Sequence, residues 1–76
     1  MKEVIETIIK SLVDDPEAVE INAVEGEKSI VYEVKVAEGD MGKVIGREGK
    51  IARAIRTLIK ALAAKEQKRV SIEFIG

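Results

Sequence analysis

The chain has 76 residues, close to the smallest size at which one apolar core holds a fold without metal or disulfide support. Its 46% hydrophobic and 36% charged content is that of a compact globule rather than a disordered tail. It contains no cysteine and no histidine, which excludes disulfides, thiolate nucleophiles, the usual structural zinc sites and imidazole acid–base chemistry. The formal net charge of −1 conceals a division: residues 1–40 carry four Lys/Arg and eleven Asp/Glu, net −7, whereas residues 41–76 carry nine and three, net +6. Either the division only solubilises two faces, or it leaves a positive field for a polyanion, since binding responds to the local potential.

Val4, Ile5, Ile8, Ile9, Leu12 and Val13 recur at helical spacing opposite Lys2, Glu3, Glu6 and Lys10. This predicts an amphipathic helix ending in "DDPE", where Pro16 moves Asp15 out of helical geometry. "AVEINAVE" alternates imperfectly, with Val19, Ile21 and Ala23 on one side, and reads as a short strand. After the turn "EGEK", "SIVYEVKVA" is the strongest strand, Ile30, Tyr32, Val34 and Val36 pointing one way, and the two strands make a hairpin. Asp40 is expected to cap a helix of about one and a half turns that carries Met41, Val44 and Ile45 inward. Lys50 to Lys65, free of Gly and Pro, forms the longest helix, and "RVSIEFI" closes the chain as a strand with Val70, Ile72 and Phe74 on one side. The order helix, strand, strand, short helix, glycine turn, long helix, strand predicts a two-layer α+β sandwich. It is one domain over 1–76, with a three-stranded sheet covered on one face by helices. The charged start "MKEVIETIIK" is unlike a signal peptide and no apolar run reaches the length of a membrane span, so a cytoplasmic location is expected and no membrane partner.

The residues that ask for explanation are Gly46 and Gly49 in "VIGREGK". Two glycines between helices serve equally as a C-cap and a tight entry. Here, however, Gly49 opens a long helix, whose unpaired N–H groups and positive dipole end favour an anion such as phosphate. Lys43, Arg47, Lys50, Arg53 and Arg56 surround that opening, and glycine lets a foreign backbone come close. Known phosphate loops do not fit: Val44 stands where both the Walker A pattern and the dinucleotide fingerprint need glycine, and Ile51 follows Lys50 where Walker A needs Ser or Thr.

The stretch "VIGREGKIARAI", set between two helices in an α-β-β-α-α-β order, resembles the GxxG loop of a type II KH domain, and the match covers essentially the whole chain. With "DMGKVIGREGKIARAIRT" and the closing "KRVSIEFI", the chain is similar to the KhpA family of small bacterial KH-domain proteins. The resemblance implies a cytoplasmic RNA-binding protein that holds about four single-stranded nucleotides across the loop. It also implies a homodimer and leaves open pairing with a larger KH-containing partner protein. Two positions depart from the pattern: Glu48 puts an acid in the loop, weakening phosphate attraction, and Ala52 stands where many KH domains have Ile.

On this reading Gly46 and Gly49 allow backbone approach, Arg47 and Lys50 pair with phosphate, and Lys43 and Arg53 add flanking charge, with Glu48 completing the loop. Val44, Ile45, Ile51 and Ala54 are candidates for an apolar floor beneath the bases, against ordinary core packing for the isoleucines. Arg56 and Lys60 read as a solvated face, and Tyr32 and Phe74 as core. The apolar residues of the long helix span roughly two hundred degrees, about twice what one core contact needs. With Ala52, Ile55, Ile59 and Leu62 turned to the sheet, Ala54, Leu58 and Ala61 are left as an edge for a two-fold contact. The competing function is a protein-interaction module of KH shape with weak or no RNA binding. No catalytic residues, metal ligands or cofactor are indicated: Ser11, Ser29 and Ser71 lack an imidazole base, and no carboxylate cluster has metal-ligand spacing.

Overall fold

Helix α1 spans Lys2–Leu12, and its i, i+4 pair Ile5 and Ile9 is fully buried while Lys10 reaches back to Glu6 at 2.8 Å on the wet side. The computed structural model to which this helix belongs describes residues 1–75. The chain leaves α1 at Val13, which is already extended, so the helix stops short of the "DDPE" run, and Pro16 instead opens a short 3₁₀ turn, Pro16–Ala18. Strand β1 (Glu20–Glu25) and strand β2 (Ser29–Lys35) form the expected hairpin, closed by a hydrogen bond from Gly26 N–H to the Ser29 carbonyl at 2.7 Å. Helix α2 (Met41–Ile45), a turn at Arg47–Gly49 and helix α3 (Lys50–Leu62) then lead to strand β3 (Arg69–Ile75).

The sheet order is β1-β2-β3, antiparallel between β1 and β2 and parallel between β2 and β3. A parallel pair needs a crossover, and α2 with α3 supplies it. Register sets Ile30 beside Val70, Tyr32 beside Ile72 and Val34 beside Phe74, so one apolar face meets Ile5 and Ile9 of α1, Val44 of α2 and Ile55 and Ile59 of α3. The opposite face is open, with Val24, Lys35, Glu73 and Ile75 exposed and Asn22 donating to Glu33 at 3.2 Å. The α+β sandwich with a three-stranded sheet covered on one face is therefore the observed fold.

Five local expectations need correcting. Leu62 does not face the sheet but is 47% exposed, and Ala63 takes the buried place: four residues after Ile59 it stays over the core, while Leu62 falls on the flank. The helix itself ends at Leu62, with Ala63–Lys65 a 3₁₀ turn. Phe74 is only half-buried, and Ala23 is exposed although it pairs with buried Tyr32, because the core stops short of the outer strand. Asp40 precedes α2 but makes no cap hydrogen bond there; its carboxylate is used elsewhere. No helix among the described residues is long and apolar enough to cross a membrane.

Candidate nucleic-acid interface

The turn between α2 and α3 is built on three positive-φ positions, Gly46, Glu48 and Gly49. Gly46 adopts φ 75°, ψ 175°, a conformation open in practice to glycine alone, and a Cβ there would lie 2.6 Å from Ile51 Cγ1 and 2.9 Å from Ile51 Cβ. Gly49 is left-handed (φ 73°, ψ 15°), but a Cβ on it would meet nothing within 4 Å. Glu48, at φ 57°, is the one non-glycine residue with positive φ among those described. Gly46 is therefore glycine for internal packing and conformation, whereas Gly49 needs only conformation and leaves open space on its outer side. Among the described residues no side chain caps the start of α3; the turn closes on its own backbone, the Gly49 N–H donating to the Gly46 carbonyl at 3.2 Å and the Lys50 N–H to that of Arg47.

The charges around the turn divide into two sets. Arg47, Lys50 and Arg53 are exposed, and none lies within ion-pair distance of a carboxylate among the described residues. Lys43 is exposed too but is paired: it bonds to Asp14 and, at 3.3 Å, to Asp40, and these hydrogen bonds raise its pKa, Asp14 contributing most. Its charge is compensated before any ligand arrives. Of the apolar candidates, Val44 is wholly buried and has no surface to offer, and Ile45 is half-buried against the core. Ile51, 36% exposed, presses on Gly46, and Ala54 is exposed beside it on α3.

A cleft of about 100 Å³ lies between α3 and β3, lined by Arg56, Ile59, Lys60, Val70, Ser71 and Ile72. Arg56 and Lys60 line it from the helix, so two residues that read as mere solvated face border a concave surface. Their spacing with Arg53, at i, i+3 and i+7, was the available signal. That a strand edge lies beneath them depends on the sheet order.

The model of the KH domain of KhpA and KhpB matches residues 2–74. The chain belongs to this family of KH domains. Among its relatives is the RNA-binding protein KhpA of Caldanaerobacter subterraneus subsp. tengcongensis, 60% identical over 75 residues, 99% of this chain and all of that one. The protein of the same name from Clostridium acetobutylicum is 61% identical over the same shares, and that of Borreliella burgdorferi 55% identical over 73 residues, 96% of this chain and 89% of its own.

In this KH domain the helix that leads into the GxxG turn is anchored by the buried carboxylate of Asp40, which accepts the Asp15 N–H at 3.0 Å and the Lys43 ammonium. The segment after α1 is thereby tied to the first turn of α2. The Asp15 N–H, more than Lys43, holds the Asp40 carboxyl below the usual carboxylate range, against the opposing effect of burial. A depressed carboxylate pKa contributes stability that is complete above its unfolded value and is lost as pH falls through the folded one. Asp40→Asn is expected to melt at a lower temperature than the parent at neutral pH, with the difference closing below about pH 4. Thermal melts across that range check it, and a difference independent of pH would remove the charge from the account.

Proposed function

We propose that this protein binds RNA, gripping the backbone of a single strand at the Gly46–Gly49 loop. The observation that carries the reading is the open outer side of Gly49 at the start of α3, with Arg47, Lys50 and Arg53 exposed around it and in no ion pair among the described residues. Relatives that bear the name RNA-binding protein over the same length support it. In this reading Gly46 and Gly49 let the sugar–phosphate chain approach, Arg47 and Lys50 meet phosphate, and Arg53 adds field. Lys43 holds the turn in place rather than touching the ligand, and the floor for bases falls to Ile51 and Ala54 with help from Ile45. The protein works in the cytoplasm, where its RNA is, and performs no catalysis.

Titration of single-stranded RNA at low ionic strength tests this. The amide resonances of Gly46 through Lys50 should move, and log K should fall with log salt by about 0.7 for each phosphate neutralised. Unmoved amides would end the reading.

A second property belongs with it. Leu58, 47% exposed, stands with Ala54 and Ala61 on the flank of α3 opposite to Arg56 and Lys60. Pairing two copies through Leu58 and Ala61, with Ala54 at the margin shared with the RNA site, would bury the outer part of this strip, and two linked sites bind a strand more tightly than one. The same strip would serve a larger KH-containing partner. Leu58→Glu is expected to halve the mass seen by light scattering, since two carboxylates would face one another across the contact; a monomeric parent would end the idea.

A further inference from the structure

Arg56 is the one cation of α3 with a fixed place against the sheet. Its Nε–H donates to the Ile72 carbonyl at 3.3 Å, and its guanidinium carbon stands 5.5 Å from the centroid of the Phe74 ring. β3 is a sheet edge, so this carbonyl has no strand partner, and the arginine fills that place. Nε accounts for only one of the five N–H donors of the guanidinium. No carboxylate among the described residues is paired with the rest, and the side chain is exposed at the wall of the cleft beside Lys60.

We infer that Arg56 is a pre-positioned phosphate anchor: it presents its terminal N–H groups at the α3–β3 cleft to a phosphodiester further along the strand held at the GxxG loop. This rests on the RNA-binding reading above. Six residues separate Lys50 from Arg56, a rise of about 9 Å along the helix, so Arg56 addresses a different phosphate from the one at the loop. Two N–H groups in a rigid fork match two phosphate oxygens. An arginine free in solvent loses rotamer freedom on binding, whereas Arg56 has already lost much of it to Ile72 and Phe74. Lysine could keep the charge but not the fixed direction. The contact also gives the strand a course, from the loop along the basic flank of α3, away from the acidic first half of the chain.

The test is the salt dependence of binding of a fluorescent oligouridylate to the full chain and its variants, with thermal melts alongside. Arg56→Ala should lose roughly tenfold in affinity, and its slope of log K against log salt should become shallower by about 0.7, one phosphate fewer. Arg56→Lys should keep the parent slope yet bind several-fold more weakly. Phe74→Leu, which leaves every cation in place, should match it in both respects. Should Arg56→Ala melt below the assay temperature, Arg56→Gln reads the same slope. An arginine that only staples helix to strand would alter the melting temperature and leave the slope alone, and a parent slope in Arg56→Ala or Arg56→Gln overturns the inference. A parent that binds no oligouridylate at low salt would instead overturn the RNA-binding reading itself, and this inference with it.

Discussion

Arg47→Asp combined with Glu48→Asp is expected to remove measurable RNA binding at low salt while leaving the fold intact. Both side chains are exposed, and neither makes an ion pair or a side-chain hydrogen bond among the described residues, so nothing inside the protein depends on them. The left-handed backbone at Glu48 is also one that aspartate tolerates better than most residues. The loss is electrostatic. One hydrogen bond to a charged group contributes about 1.5–3 kcal/mol, and here a cation is not merely deleted but reversed beside a phosphate. A drop of at least about a hundredfold follows. Anisotropy titrations of parent and variant, with thermal melts of both, check it; a variant that binds like the parent would take the loop out of the interface.

The largest effect on stability is expected at Gly46. Alanine there must hold a backbone conformation that costs side chains about 1–3 kcal/mol, and its Cβ falls 2.9 Å from the Cβ of Ile51, an atom no rotamer change can move. Overpacking of this kind adds about 1–3 kcal/mol. The sum, about 2–6 kcal/mol, is a large part of the roughly 4–11 kcal/mol expected of a chain this long. Gly49→Ala meets no atom within 4 Å, so only the left-handed conformation opposes it, at about 1–2 kcal/mol. Urea unfolding should therefore rank Gly46→Ala well below Gly49→Ala. In an Ile51→Ala background the Gly46 penalty should shrink, because the crowding with the longer side chain is relieved. Equal losses at the two glycines would show that packing against Ile51 is not what demands glycine.

The sequence was most legible where an element has one buried face. Ile5 with Ile9, Ile30 with Tyr32 and Val34, and Val70 with Ile72 could be assigned inward from spacing alone, because period 3.6 or 2 converts directly into a side. The glycine turn was legible too, since the dihedrals at Gly46 suit glycine alone and those at Gly49 favour it. What spacing could not reach was anything decided by residues far along the chain. Lys43 reads as one more cation near the loop until Asp14, 29 positions away, is found beside it. Asp40 reads as a cap for the helix it precedes, but the donor it serves is Asp15, 25 residues earlier. Arg56 reads as solvated until the order β1-β2-β3 makes β3 an edge with a carbonyl to offer. Leu62 was misplaced for a local reason: at the end of a helix the choice between neighbouring residues depends on where the sheet stops.

The parallel pairing of β2 with β3 also governs when the loop can take shape. Every pair in that ladder joins residues 40 positions apart, from Ser29 with Arg69 to Lys35 with Ile75. Closing a segment of that length costs about 3 kcal/mol in chain entropy, and no contact within the hairpin offsets it. Of the three strands β3 is made last. On the ribosome the crossover helices therefore emerge before the strand that clamps them, and the sheet behind the turn is complete only once Arg69 to Ile75 can pair with β2.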